Sequence, residues 1–237
     1  GKTTTLYSGL RHISDTSQNI LTVEDPIEYT LPGIGQTQVN VKAGYDFASG
    51  LRSILRQDPD IVMLGEIRDL ETAKIAIQAS LTGHLVLSTV HTNSAIGAIA
   101  RLRDMGIESY LLASSIRLVI SQRLVRRLCA ECKTSITPPE SIQQKFSLDP
   151  VSPIYKANGC DSCSHSGFKG RVALAECISI TEDLKALIHD EASENALAQC
   201  AFKNTLSIDA SSTKLLLEGV TSYEELLKVQ SHQDANL

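Results

Sequence analysis

Apolar residues in the first half of the chain alternate between two patterns. NILTVED (residues 19–25) and DIVMLGE (60–66) are short apolar runs closed by acids, and LVLSTV (85–90) is a third. Runs of this length and composition read as strands buried on both faces. Between them the apolar positions take helical spacing. Residues 3–12 predict a short helix, and in DFASGLRSILRQ (46–57) Phe47, Leu51, Ile54 and Leu55 share one face. That helix is predicted to stop at Asp58-Pro59, because a proline disfavours helical backbone in the residue before it. DLETAKIAIQASL (69–81) and SAIGAIARLRDM (94–105) have helical period again. EYTLPGIGQTQVNV (28–41), with Pro32, Gly33 and Gly35 between β-prone flanks, reads as an extended, hairpin-like excursion. Strand alternating with helix at this rhythm predicts an α/β fold with a parallel sheet covered by helices.

The pattern changes after Arg127. Residues 129–170 are rich in Cys, Ser, Pro and Gly with little period, and 181–230 read as three or four short amphipathic helices. This sets a boundary near residue 125, with a core at 1–125 and a C-terminal part at 126–237. The one basic cluster, Arg117, Arg123, Arg126 and Arg127, reads as a solvated helix face. Composition adds little beyond exclusions: 237 residues, 42% hydrophobic and 21% charged, describe an ordinary globular chain. A net charge of -5 gives no overall pull on nucleic acid, and the longest apolar windows are broken by His84, His91, Arg117 and Arg123, so no membrane span is predicted. The start has neither the charged nor the apolar region of a signal peptide, so the six cysteines read as reduced thiols or metal ligands rather than a disulfide framework.

Gly1-Lys2-Thr3, running into a helix, matches the end of a phosphate-binding loop, in which backbone N–H groups and the lysine hold phosphate and the hydroxyl ligates magnesium. As a bare tripeptide it is also simply a polar helix start. Glu66 ends one strand and Glu24 and Asp25 another, and such acids converge on the carboxyl side of a parallel sheet, where ligands bind in these folds. A carboxylate there can orient an attacking water or help hold magnesium; the alternative is a surface acid. His91 follows the third strand and joins that edge, whereas His84 precedes it; either can equally be a structural histidine. Arg52, Arg56, Arg68 and Arg101 are surface cations or groups that complete a neighbouring subunit's site. Cys129-x-x-Cys132 and Cys160-x-x-Cys163 supply four thiolates, enough to close a tetrahedral zinc site; unliganded thiols and a redox pair are the alternatives. Cys177 and Cys200 stand apart and read as buried apolar residues.

Together the runs GKTTTLY, TVEDPIEY, GIGQTQVN, GLRSILRQDPDIVMLGEIRDLETA, TGHLVLSTVHTN, RLRDMGI, QRLVRRLCAEC and GCDSCSHSGFKGR resemble, in order, the hexameric ATPases of type II secretion and type IV pilus assembly. The resemblance covers residue 1 to about 230. It implies a RecA-like core that hydrolyses magnesium-ATP. Gly1, Lys2, Thr3 and Thr4 would close the Walker A loop, with Thr3 on magnesium, and Glu24, Asp25 and Glu28 would form the aspartate box. Glu66 would be the Walker B glutamate, with Arg68 beside it and Gly65 where many such enzymes have aspartate. His84 and His91 would form the histidine box. Arg52, Arg56, Arg101 and Arg171 would contact nucleotide or bridge subunits. The four paired cysteines match a zinc element of assembly ATPases that retraction ATPases lack. The implied partners are other copies in a hexamer, an inner-membrane platform protein and a cytoplasmic membrane-protein adaptor, on the cytoplasmic face of the inner membrane, with no nucleic acid. The family's phosphate loop starts several residues before GKT and its N-terminal domain precedes that. The chain therefore reads as the C-terminal part of a longer protein, and weak or absent turnover is expected of it alone. A zinc-stabilised binding module and another P-loop enzyme such as a helicase are the rival readings; few aromatic residues for base stacking, at 4%, count against the helicase.

Overall fold

The computed structural model describes residues 1–15, 17–203 and 205–234. Helix α1 (Lys2–Ile13) is followed by β1 (Ile20–Glu24), β2 (Gly35–Gln38), α2 (Phe47–Leu55), β3 (Ile61–Leu64), α3 (Leu70–Leu81), β4 (Leu85–Leu87), α4 (Ala95–Asp104) and α5 (Ser109–Ser115). Then come β5 (Leu118–Leu128), β6 (Thr134–Ile136), α6 (Glu140–Phe146), β7 (Ile154–Lys156), β8 (Phe168–Ser179), α7 (Glu182–His189), α8 (Glu194–Ala201), α9 (Ile208–Leu217) and α10 (Tyr223–Asp234). These form two compact units, one of residues 2–119 with 179–201 and the other built from Gly1, residues 120–178 and the described residues after 201. Helices α7 and α8 fall in the first unit because α7 packs on α5 and α8 on α4. No helix among the described residues is long and apolar enough to cross a membrane.

In the first unit four strands form a sheet in the order β2-β1-β3-β4, and every pairing is parallel. All of β3 is buried, as its unbroken apolar run predicts. Its residues alternate between the faces: Ile61 and Met63 pack with Ile20 and with Tyr7 and Leu10 of α1, while Val62 and Leu64 pack with Val23 and with Phe47, Leu51 and Ile54 of α2. Helix α2 starts at a capping box, in which Asp46 accepts from Ser49 N–H and the Ser49 hydroxyl accepts from Asp46 N–H. It lies close to β1 because Gly50 carries no side chain: a Cβ there would sit 2.9 Å from Val23. The excursion after β1 departs from expectation. β2 is not the return arm of a hairpin but a parallel neighbour of β1, so residues 25–34 must carry the chain back along the sheet before the strand can start.

The second unit has its own core, of Val125, Ile142, Phe146, Leu148, Ile154, Leu174, Leu216 and Leu226. The basic cluster is no helix face: Arg123, Arg126 and Arg127 lie in β5, which pairs with β8 in a two-stranded sheet. Polar residues recur too often in LVISQRLVRRL for its two-residue period to stand out, and a ribbon with one wet face needs no more apolar residues than these.

Arg126 crosses from β5 to α10, where its guanidinium donates to Glu225 at 2.6 Å and lies over the Phe168 ring at 4.0 Å. Lys228 donates to the same carboxylate at 3.0 Å. The Arg126 hydrogen bond, outweighing the opposing effect of burial, holds Glu225 down at about 2, from an ordinary 4.5. A depressed carboxylate stabilises the fold fully above its unfolded value and loses that contribution as pH falls through the folded one. Replacing Glu225→Gln is therefore expected to destabilise the chain at pH 7 by roughly 2 kcal/mol, once the half-exposed Arg126 is discounted for solvent screening. In urea titrations the gap from wild type should close as pH falls from about 4.5 towards 2, and a gap constant with pH would show that the carboxylate's charge is not the cause.

Candidate functional site

Lys2 opens α1, whose first turn contains no acid, so the free N–H groups and the positive end of the helix dipole face outward beside an exposed ammonium. Thr3 is half-buried, and Gly1 and Thr4 are exposed. Glu66 follows the end of β3 and is 9% exposed. The segment after β3 is stitched to the segment after β4: Ile67 N–H donates to the Thr89 carbonyl at 2.9 Å, and the Thr89 hydroxyl donates to the Gly65 carbonyl at 2.8 Å. That stitch brings His91 to Glu66, with Nε2 at 2.9 Å from Oε2. The other carboxylate oxygen takes an ion pair from Arg68. On its far side the His91 ring presents Nδ1 to the Lys2 ammonium at 3.5 Å, long for a hydrogen bond. An imidazole carrying its proton on Nε2 satisfies both contacts, donating to Glu66 and accepting from Lys2.

A continuous line therefore runs Lys2, His91, Glu66, Arg68 along the carboxyl edge of the sheet, and Asp25 lies close enough to Arg68 to raise the guanidinium's proton affinity. Burial pushes the Glu66 carboxyl up, but hydrogen bonds and charge from Arg68, and then from His91, outweigh it and hold the group below the usual carboxylate range. The acid is thus an anion at neutral pH, reached by a guanidinium and an imidazole that are themselves exposed.

The other sequence-selected residues are placed differently. Glu24 ends β1 next to this edge but is 2% exposed and faces inward, accepting from the hydroxyls of Tyr7 and Thr22 and from the Gln36 amide. Asp25 and Glu28 are exposed. His84 sits before β4, at the opposite edge, where its Nδ1 lies 2.9 Å from the Ala79 carbonyl at the end of α3. Arg52 pairs with Glu71 of α3. Arg56 and Arg101 are exposed, at the ends of α2 and α4. Arg171 lies exposed on β8, in the other unit. Sequence reasoning missed Tyr7, Thr22, Gln36 and Thr89. The first was detectable: Tyr7 stands three residues before Leu10 on the buried face of α1, and a buried phenol needs a partner.

The second unit holds the four paired cysteines. Cys129 directly follows β5, Cys132 comes three residues later, and Cys160 and Cys163 precede β8. Their sulfur atoms all lie within 4.8 Å of one another, with Cys129–Cys160 and Cys132–Cys163 at 3.9 Å and Cys160–Cys163 at 3.8 Å. A tetrahedron of thiolates at the usual zinc–sulfur distance of about 2.3 Å has edges of about 3.8 Å, so the donor set fits that ion. The neighbouring backbone fits it too. Gly159 N–H donates to Cys132 Sγ, and Cys160 N–H and Gly167 N–H donate to Cys163 Sγ, at 3.2–3.3 Å. Burial disfavours the Cys163 thiolate, yet these donors outweigh it and lower the thiol, whereas burial and the adjoining sulfurs push Cys160 up. Four sulfurs this close cannot all ionise without a cation between them.

A family model described as "Type II/IV secretion system protein" matches residues 1–228. Type II secretion system protein E of Pseudomonas aeruginosa is 54% identical over 231 residues, covering 97% of this chain and 46% of that protein. The type II secretion system ATPase E of Vibrio cholerae is 51% identical over 231 residues, with the same coverage. The chain spans about half the length of the curated relatives it matches. Among solved structures, the pilus retraction motor PilT with bound ADP is similar at a TM-score of 0.71 and 28% identity, covering 97% of this chain and 57% of that one. The Legionella pneumophila ATPase DotB has a TM-score of 0.69 at 23% identity over 98% of this chain and 57% of its own, a likeness of fold.

The sulfur geometry gives its own test. Freshly purified protein is expected to carry about one zinc per chain by elemental analysis, and Cys163→Ser to lose it together with a large part of the thermal stability of the second unit. Metal-free wild-type protein of undiminished stability would rule the site out.

Proposed function

Because the chain belongs to the type II/IV secretion system protein family, we propose that it carries the nucleotide-hydrolysing machinery of a secretion motor. The line of Lys2, His91, Glu66 and Arg68 at the carboxyl edge of a parallel sheet is the observation that carries this. The substrate is ATP. Its phosphates are met by the first-turn N–H groups of α1, with Gly1 and Thr4 beside them, and by the Lys2 ammonium. Thr3 offers the hydroxyl for magnesium, which when bound spreads the charge of the phosphate oxygens. Glu66, an anion at neutral pH, accepts a hydrogen bond from the attacking water and orients it. His91 keeps one Glu66 oxygen fixed while its Nδ1 faces the lysine, so a shift of Lys2 towards phosphate is felt at the carboxylate. Arg68 releases Glu66 to the water by turning towards the transferring phosphoryl group, whose charge it then offsets. Asp25 and Glu28 supply further acceptors at the edge, with Glu24 behind them. Arg52, Arg56, Arg101 and Arg171 are exposed cations suited to a neighbouring subunit's nucleotide, and His84 fixes the turn between α3 and β4.

The assembly that fits exposed arginines of this kind is a ring, and the family's is a hexamer. The motor works on the cytoplasmic face of the inner membrane, against a platform protein and a membrane-protein adaptor, and drives assembly of a pseudopilus or pilus. The names of the close relatives favour type II secretion. The four cysteines hold zinc as a structural clamp, apart from the chemistry. In the full-length protein, Glu66→Gln is expected to lower ATP turnover at least 100-fold while nucleotide binding is kept, as removal of a residue acting only on the chemical step should. An unchanged rate would overturn the mechanism.

A further inference from the structure

The buried side of α1 holds a second arrangement, for which hydrolysis has no direct use. Tyr7 lies five residues after Lys2, and its hydroxyl donates to Glu24. That carboxylate also accepts from the Thr22 hydroxyl at 2.6 Å and from Gln36 Nε2 at 3.0 Å. The Tyr7 oxygen in turn accepts from Glu28 N–H and Gln36 Nε2, each at 3.3 Å. Gln36 reaches further, accepting from Leu31 N–H at 2.6 Å through Oε1 and approaching the Tyr29 carbonyl at 3.3 Å through Nε2. Gln38 Oε1 accepts from Ile27 N–H at 3.3 Å, and the Tyr29 ring stands edge-on to Tyr7, centroids 4.7 Å apart.

These contacts share a target. Residues 25–34 belong to no helix or strand, so their backbone groups have no ladder to satisfy them. The side chains of Tyr7, Gln36 and Gln38 take that place at Ile27, Glu28, Tyr29 and Leu31. The same segment carries Asp25, beside Arg68, and Glu28. A buried carboxylate holds its donors tightly because each one lost leaves charge uncompensated. Glu24 therefore acts as the fixed post to which the helix on one side and the segment on the other are both tied.

We propose that Tyr7, through Glu24 and Gln36, is a positioning residue that couples the phosphate end of α1 to the 25–34 segment, so that nucleotide bound at Lys2 and Thr3 orders Asp25 and Glu28. This deepens the nucleotide reading above and rests on it. A helix moves as a rod, and Tyr7 is only about 7.5 Å along the axis from Lys2, so a small displacement at the first turn reaches the phenol undiminished. Burial, and then the Glu24 carboxylate, push the Tyr7 phenol up to about 12, so it remains a donor across the working pH range.

The test compares the full-length protein with its Tyr7→Phe variant, which keeps the ring and loses only the hydroxyl. Hydrogen exchange of residues 27–31 is followed with and without magnesium and the non-hydrolysable analogue adenylyl-imidodiphosphate. In the wild type the analogue is expected to slow exchange there. In Tyr7→Phe that slowing should vanish and kcat fall roughly tenfold, while KM for ATP stays within about threefold, because binding is intact and only placement is lost. Gln36→Met, on the other arm, should act the same way and replaces Tyr7→Phe if that variant does not fold. Wild-type slowing and wild-type kcat in both variants would overturn the coupling and leave the nucleotide site standing. No effect of the analogue on the wild type itself, with no binding measured, would overturn both.

Discussion

Two carboxylates end neighbouring buried strands, and each must be met by hydrogen-bond donors or charge of its own. β1 and β3 pair so that Val23 stands opposite Leu64, which puts Glu24 and Glu66 at the same edge, on strands about 4.8 Å apart. The chain gives each its own partners. Glu24 turns towards α1 and is met by neutral donors, two hydroxyls and an amide. Glu66 turns to the open edge and is met by Arg68 and His91, which are exposed and charged or chargeable. The first set is neutral and buried or half-buried with its acid, whereas the second is exposed. Both acids are buried, so it is the partners that distinguish them, neutral at Glu24 and exposed at Glu66.

The same edge explains which parts of the site could be read beforehand. Glu66 and His91 follow short apolar strands, and in a parallel sheet all strand ends fall on one side, so their meeting is a consequence of topology. What topology does not contain is the direction of each side chain. Glu24 looks equivalent to Glu66 in the sequence, but alternation sends it to the α1 face, where Tyr7 waits. His84 and His91 look like a pair, but a strand separates them and puts them at opposite edges, His84 closing α3. Thr89 does the stitching that places His91, and a threonine in an apolar strand ordinarily signals only β propensity.

In the second unit, legibility fails for a different reason. The apolar period marks elements buried on one face, but β5 and β8 form a two-stranded ribbon in which the exposed positions of β5 include Leu118, Ile120 and Leu124, so β5 shows no clean alternation. The arginines of β5 were the misleading signal. They are spaced as a helix face would be, yet Arg126 is committed to Glu225 and Phe168. Helices were easier to find, because α9 and α10 carry apolar faces and α9 its own cap: Ser207 caps α9, and Leu216 and Leu226 bury into the core.

The cysteines tie these two lessons together, because their position matters as much as their chemistry. They do not decorate a loop; they close its neck. Cys129 leaves β5 and Cys163 leads into β8, with Cys129 N–H donating to the Gly167 carbonyl at 3.0 Å across the gap. Between them the chain makes two short strands and short helices, and Ile142, Phe146, Leu148 and Ile154 of this segment reach the unit's core. Closing so long a segment costs entropy that grows slowly with length, so a four-sulfur clamp at its base constrains all of it at once. The clamp also fixes the ends of both ribbon strands, and with them Arg126 and Phe168. From there the order passes to α10 through Glu225, and to the end of α9 through Lys133, whose ammonium donates to the Gly219 carbonyl at 2.7 Å and lies over the Tyr155 ring. A metal bound at the neck would thereby stabilise helices that contribute none of its ligands. That is how so weakly periodic a stretch can be held in place while it supplies residues of the hydrophobic core.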